Sequence, residues 1–152
     1  MEDFYRIYQD PSITKYMERL FPDRDEERSY MKDYIQKIYG FYGFGLWSVI
    51  HTVTGTVIGR AGLSVREGYE IPELGFVTEV AFQHQGYTYE ICEAILRYAR
   101  DELEFPQVQA FCHPENTASL HLLQKLGFSY AGEDLLQGIP HARYIVSLPK
   151  SC

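Results

Sequence analysis

One stretch, residues 73–98, constrains the fold of this chain more than any other. Residues 74–82 read LGFVTEVAF and lie between Pro72 and Gly86, a pattern typical of a buried strand. After a short turn, apolar residues recur at helical spacing and predict an amphipathic helix that runs to about Glu104. The residues predicted for its apolar face are Tyr87, Ile91, Ala94, Ile95 and Tyr98. A strand that enters a helix through a glycine turn directs unpaired backbone N–H groups at one point. The stretch therefore predicts either a phosphate site made of backbone or a plain strand-to-helix turn.

The turn itself, QHQGYT at residues 83–88, contains neither the dinucleotide pattern GxGxxG nor the Walker pattern GxxxxGK[ST]. Gln83-x-x-Gly86-x-Thr88 resembles the acetyl-CoA loop, Q/R-x-x-G-x-G/A, of the GNAT N-acetyltransferases. The preceding ELGF resembles the branch that contains the ribosomal-protein N-terminal (Rim-type) acetyltransferases. The resemblance implies that the loop binds the pyrophosphate and the strand end binds the pantetheine arm of acetyl-CoA. The residues implied are Phe76, Val77, Thr78, Gln83, His84, Gln85, Gly86, Tyr87 and Thr88. Thr88 departs from the family pattern, and its branched side chain is expected to narrow the space near the pyrophosphate.

A second motif begins at His113 and ends in LLQKLGF at Phe128. It resembles the helix N-x-x-S-x-x-(V/L)-x-x-K-x-G-F of the same family, which implies that Asn116 contacts the pantetheine arm. From the residues alone, the alternative is that Asn116, directly before a helix, is a helix cap. In many GNAT enzymes a Tyr of this helix protonates the departing thiolate, but Leu123 stands at that position and has no proton to donate. The Rim-type resemblance implies Ser119 as the acid, whereas the alternative is an ordinary serine on the helix surface.

The general base is predicted among three carboxylates. Glu73, at the start of the strand, matches a family Glu that often has this role, while Glu79 and Glu133 are the alternatives. An α-amino group, with a reference pKa of about 7.7–8.0, loses its proton more easily than a Lys amine at about 10.4. A weak base that acts through water could therefore serve an N-terminal acceptor.

Composition excludes several classes of protein. A formal charge of −7 over 152 residues argues against nucleic-acid binding, which requires a basic face. The chain contains no signal peptide or membrane-length apolar run, and its five His residues show no metal-ligand spacing. No metal and no membrane partner are therefore expected. The three cysteines (Cys92, Cys112 and Cys152) are scattered, which predicts reduced thiols in a cytoplasmic protein.

The order of predicted elements gives the fold class. Helices are expected at residues 3–17 and 25–39, strands at 46–51, 56–63, 74–82 and 108–112, a helix at 117–126, and strands at 129–135 and 142–148 around a Gly138-Ile-Pro140 turn. This order predicts one α/β (α+β) domain over residues 1–152: a mixed, mostly antiparallel sheet with a central parallel βαβ crossover and helices on both faces. The resemblance implies a GNAT-like fold in which the first strand is missing. Either the start of the chain is truncated or the 46–51 strand is the sheet edge, and an exposed edge allows a homodimer.

These patterns lead to one main functional hypothesis and one alternative. The resemblance implies an N-acetyltransferase that moves an acetyl group from acetyl-CoA to a primary amine, either a peptide N-terminus or a small molecule, in a ternary complex. The alternative is a non-catalytic acyl-CoA-binding or regulatory module. Thr88 and Leu123 favour the module.

Overall fold

A computed structural model of the chain describes Ile7, Arg28 and residues 44–66 and 68–149. Ile7 and Arg28 are helical, in agreement with the helices predicted there. The remainder of both predicted helices lies outside the described residues, as does Cys152.

The described residues form the mixed sheet that the sequence predicts. The strands are β1 (Leu46–Ile50), β2 (Val57–Ser64), β3 (Glu73–Thr78), β4 (Gln107–Cys112), β5 (Ser129–Leu136) and β6 (Ile139–Ser147), and the helices are α1 (Tyr87–Asp101) and α2 (Thr117–Lys125). The strand order is β1-β2-β3-β4-β6-β5, so β1 ends the described sheet on one side. Strands β3 and β4 are parallel, with Glu73 opposite Gln109, and α1 connects them. The pairs β1–β2, β4–β6 and β5–β6 are antiparallel, which confirms the predicted fold class.

The chain divides into two compact units. The first comprises Met1–Gly62 and Phe76–Thr88, and the second comprises Leu63–Gly75 and Tyr89–Cys152. In the first unit Ile7 and Val77 are buried against each other, with Val57 packed beside them. Gly59 of β2 is required there, because a Cβ at this position would collide with the carbonyl oxygen of Val77.

The second unit buries one face of α1, and this face differs from the predicted one. The buried residues are Cys92, Ile95, Leu96 and Ala99, whereas Ala94 and Tyr98 are exposed. Both sets follow helical spacing, so periodicity alone did not separate them. Tyr98 keeps its polar hydroxyl near water, while the small side chains of Cys92 and Ala99 allow the backbone of the helix to pack closely.

Strand β3 is shorter than predicted. It ends at Thr78, and residues 80–82 form a single 3₁₀ turn instead of continuing the strand. The backbone N–H of Glu79 still donates to Ile58 O at 2.7 Å, but Phe82 N then donates back to Glu79 O at 2.9 Å. The apolar sequence Val-Ala-Phe is compatible with a strand and with a 3₁₀ turn. The local i→i+3 hydrogen bonds decide between the two, and composition does not reveal them.

The β5–β6 turn begins one residue earlier than predicted. Gln137 and Gly138 have φ values of 52° and 79°, and Pro140 lies inside β6, paired with Leu135. Two central residues with positive φ match the right-handed twist of a hairpin, which explains why the turn forms at Gln137–Gly138. None of the helices described is long and apolar enough to cross a membrane.

Candidate functional site

The loop between β3 and α1 contains two residues in the left-handed backbone region. Gly86 has a φ of 86° and His84 a φ of 61°, and both residues are exposed together with Gln85. A Cβ added at Gly86 would meet no atom within 4 Å, so glycine is needed there for its conformation while the space above it is open. The first turn of α1 begins directly after this glycine, at Tyr87. Exposed loop residues therefore directly precede the positive end of a 15-residue helix.

Two side chains of the loop are hydrogen-bonded to Thr78, the last residue of β3. The hydroxyl groups of Thr78 and Thr88 are 2.6 Å apart, and Gln83 Nε2 donates to the carbonyl oxygen of Thr78 at 2.9 Å. The branched residue at position 88 thus has a structural partner in this chain, because its hydroxyl bonds the strand. Both ends of the loop are connected to one residue of the sheet, which restrains the loop between them.

His51, which sequence reasoning did not select, supports the start of α1. Its Nε2 lies 3.3 Å from the Tyr87 hydroxyl, and its ring packs at centroid distances of 5.2 Å from Phe82 and 5.6 Å from Tyr87. Thr54 N donates to His51 Nδ1 at 3.4 Å, and Thr54 Oγ1 lies 3.2 Å from the same nitrogen. The sequence contained no signal for this contact, because His51 and Tyr87 are 36 residues apart.

Asn116 and Ser119 lie at the start of α2, where Asn116 is the N-cap. Asn116 Oδ1 accepts a hydrogen bond from Ser119 N at 3.3 Å. The cap interpretation of Asn116 is therefore confirmed, and its cofactor role stays a prediction that rests on the amide nitrogen. Ser119 is half-buried in the first turn, and Leu123 is buried one turn later.

Substitutions at Asn116 can separate capping from cofactor binding. Asn116→Ala is expected to lower the free energy of unfolding by about 1 kcal/mol, whereas Asn116→Asp keeps a capping oxygen and should retain stability. Both variants lose the amide N–H donors, so both should bind CoA more weakly if those donors contact pantetheine. Thermal unfolding and CoA calorimetry on the two variants test this. Unchanged CoA affinity in both would reduce Asn116 to a cap.

The three candidate bases are in different environments. Glu73 is paired with Arg66 in a two-bonded ion pair, at 2.7 Å from Arg66 Nε to Oε1 and 3.0 Å from Nη2 to Oε2, and its side chain is only 14% exposed. Glu79 is half-buried after β3, and Glu133 is exposed on β5. Glu73 thus has a charged partner that orients its carboxylate.

The candidate residues are distributed between the two units. The first unit contains Phe76–Thr88, which includes the whole predicted pyrophosphate loop. The second contains Glu73, Asn116 and Ser119. Each unit brings its own subset together: Thr78 with Gln83 and Thr88 in the first, and Asn116 with Ser119 in the second.

The described cysteines are poorly suited to nucleophilic catalysis. Cys92 and Cys112 are free and buried. Burial raises the pKa of the Cys92 thiol to about 12, and burial also raises the pKa of Cys112. Because the thiolate is the nucleophile, neither thiol suits an acyl-enzyme intermediate at neutral pH. Residues 44–66 and 68–149 also contain no cluster of three or more His, Cys, Asp or Glu residues placed to hold a metal ion.

The mixed sheet, with one parallel βαβ unit and a glycine loop before its helix, agrees with the fold that the resemblance implied. Residues 1–129 match the family model of the acetyltransferase (GNAT) domain. The chain belongs to the GNAT acetyltransferase family, as the loop and helix motifs predicted.

Known relatives agree with this assignment. The protein named uncharacterized N-acetyltransferase YnaD of Bacillus subtilis is 27% identical over 135 residues, which cover 86% of this chain and 76% of that protein. The crystal structure of a GNAT-family acetyltransferase from Bacillus anthracis is similar with a TM-score of 0.79 at 22% identity, over 96% of this chain and 87% of that one. The ribosomal-protein-S5-alanine acetyltransferase of Vibrio fischeri is similar with a TM-score of 0.70 at 13% identity, over 97% and 88%. At this identity the likeness shows the fold and leaves the Rim-type branch a prediction.

Proposed function

We propose that the protein transfers the acetyl group of acetyl-CoA to a primary amine by direct attack in a ternary complex. The observation that carries this proposal is the exposed loop at residues 83–88, with its positive-φ Gly86 directly before α1. Backbone N–H groups of this loop would bind the pyrophosphate, for which the open space above Gly86 is suited. The loop has no Lys or Arg, so the backbone and the helix dipole supply the attraction.

The reacting group would lie along the second half of β3. The backbone of Phe76–Thr78 would hydrogen-bond the pantetheine arm, and a backbone N–H near Thr78 would polarise the thioester carbonyl. One such donor lowers the barrier by roughly 2.7–4 kcal/mol as the oxyanion develops. Thr78 is suited to this role because Gln83 and Thr88 both hold it through hydrogen bonds. A restrained donor needs no reorganisation during the reaction.

The proton transfers complete the reaction. The amine nitrogen attacks the thioester carbon, the C–S bond breaks, and the products are an amide and CoA thiol. We assign Glu73 as the base that accepts the ammonium proton through water, and Ser119 as the donor that hydrogen-bonds the departing thiolate. Holding the amine and the thioester together would contribute about 7–11 kcal/mol. Positioning therefore outweighs either proton-transfer group.

The test is release of free CoA thiol from acetyl-CoA in the presence of a panel of primary amines. We expect release that depends on the amine, together with a stoichiometric acetylated product detected by mass spectrometry. Secondary amines of similar size serve as the control. Tight CoA binding without thiol release for any amine would instead indicate a non-catalytic acyl-CoA-binding module.

A further inference from the structure

The second unit contains a cavity of about 480 Å³ that none of the predicted cofactor residues line. Its lining includes the polar residues Arg66, Tyr69 and Glu73, here called the floor, and the apolar residues Val65, Leu135 and Leu136, here called the rim; Ser64 and Gln137 complete it. The volume is within the range of small-molecule sites. Leu135 and Leu136 lie beyond residue 129, where the match to the family model ends, so this wall belongs to the part of the chain that the model does not match.

The floor of the cavity is rigidly constructed. The Arg66 guanidinium lies 5.2 Å from the ring centroid of Phe111, and Tyr69 packs edge-on against the same ring at 5.5 Å. The Tyr69 hydroxyl donates to the carboxylate of Asp134, while the Arg143 guanidinium lies 5.1 Å above the Tyr69 ring. These contacts restrain the two aromatic rings and the arginine from several sides, and a restrained site loses less entropy when it binds a ligand.

Gln109 anchors this arrangement to the sheet. It is fully buried on β4, its Nε2 donates to Ile71 O at 3.1 Å, and its Oε1 accepts from Arg143 Nε at 2.8 Å. One buried amide thus connects the chain before Glu73 to the arginine that covers Tyr69. A buried amide with both ends bonded fixes its neighbours in one arrangement.

The charges on the floor are paired and sum to zero. Arg66 uses Nε and Nη2 to bond both oxygens of Glu73. A guanidinium has five N–H donors and a carboxylate about four lone-pair sites, so each group retains bonding capacity that the other does not use. A ligand with a carboxylate beside an ammonium would place its charges in the opposite order, with the carboxylate against Arg66 and the ammonium against Glu73.

We propose that this cavity binds the acetyl acceptor, and that the acceptor is a zwitterionic α-amino acid with an aliphatic side chain. Arg66 binds the carboxylate, Glu73 attracts through an ordered water the amine that becomes acetylated, and the rim of Val65, Leu135 and Leu136 contacts the side chain. The inference rests on the proposed function, since it assigns the substrate class of the same reaction. A polyamine fits less well, because its additional ammonium groups would meet one carboxylate that an arginine already neutralises.

The experiment compares leucine with two analogues that lack its carboxylate and with a polyamine. Thiol release from acetyl-CoA is measured with leucine, leucinamide, 3-methylbutylamine and spermidine. We expect kcat/KM for leucine to exceed that for leucinamide by about ten- to hundredfold, which corresponds to one charge-assisted interaction. Arg66→Gln should bring this ratio close to one, and Arg66→Lys, which keeps the charge without the planar fork, should retain an intermediate ratio. Arg97→Gln removes an exposed arginine from an ion pair with Glu93 and serves as the matched control. This variant should show the same leucine-to-leucinamide ratio of kcat/KM as the wild type.

Direct binding separates this inference from the proposed function. Calorimetry of leucine against the CoA-saturated protein should show binding that Arg66→Gln removes, whether or not turnover is observed. If no amine is acetylated but leucine binds in this way, the cavity assignment stands and the acetyl transfer fails. A wild-type enzyme that prefers leucinamide or spermidine, or a leucine preference that survives Arg66→Gln in the folded variant, would overturn the inference.

Discussion

Replacing Gly86 with Glu is expected to abolish CoA binding and to leave the fold intact. The substitution places a carboxylate where the backbone amides of residues 83–88 would meet the pyrophosphate, so repulsion is added to the loss of the bonds. Loss of two charge-assisted hydrogen bonds alone corresponds to a decrease in affinity of roughly a hundredfold or more. Calorimetry with CoA measures the affinity, and thermal unfolding measures the fold.

Gly68→Glu is the matched control for this experiment. Gly68 has the same φ of 86°, is exposed, and has no atom within 4 Å of an added Cβ. Both variants should therefore lose a similar 1–2 kcal/mol, approximately, from the free energy of unfolding because a non-glycine residue is forced into the left-handed region. Only Gly86→Glu should lose CoA affinity. Unchanged affinity in a folded Gly86→Glu protein would remove the loop from the cofactor site.

The second large effect is expected at Glu73. Glu73→Gln keeps the shape of the side chain and an oxygen that can accept from Arg66, but loses the basicity. A positioned general base contributes about 10²–10⁴-fold, so kcat/KM at neutral pH should fall within that range. Raising the pH should recover much of the rate, because solvent then supplies the free amine. Recovery should come about two pH units earlier for a peptide N-terminal amine than for a lysine side chain, following their reference pKa values.

The measurement is a pH–rate profile of wild type and Glu73→Gln on a peptide N-terminus, a free α-amino acid and a lysine analogue. Glu93→Gln removes an exposed carboxylate from the ion pair with Arg97 and controls for the loss of one negative charge. Parallel profiles for wild type and Glu73→Gln would show that Glu73 is not the base. Glu79, half-buried after β3, and Glu133, exposed on β5, would then be tested.

Arg66, which was not among the residues predicted from the sequence, limits how Glu73 can act as a base. Both oxygens of Glu73 accept hydrogen bonds from the guanidinium, which orients the carboxylate. A base held in this way acts best through an ordered water that shares one of its remaining lone pairs.

The Thr88 hydroxyl also changes how the sequence is interpreted. From the motif alone, a branched residue at a Gly or Ala position favoured a chain that had lost catalytic function. In the structure the hydroxyl lies 2.6 Å from that of Thr78, so the residue connects the loop to the end of β3. Relatives named N-acetyltransferases and the match of residues 1–129 to the family model favour the enzyme on independent grounds.

The sequence by itself determined the elements whose signals are local. The strand, glycine turn and helix of residues 73–98, the Asn116 cap, and the parallel βαβ order each depend on spacings of a few residues, and each is present in the structure. Errors arose where one local pattern fits two structures. The Val80–Phe82 turn reads as strand, and the buried face of α1 lies one position from the predicted face.

Only the tertiary structure decided which side chains meet across these elements. Tyr69 reaches Asp134 over 65 residues of chain, and His51 reaches Tyr87 over 36. Arg66 and Glu73 are near in sequence, but they pair because Gln109 N donates to Pro72 O and its side chain bonds Ile71 O, which fixes the chain that enters β3. Register and packing between distant strands set such contacts, and a one-residue slip would turn each side chain to the other face of the sheet. The cavity around Arg66 and Glu73 is therefore a property of the fold, whereas the glycine loop predicted to bind the cofactor was already visible in the sequence.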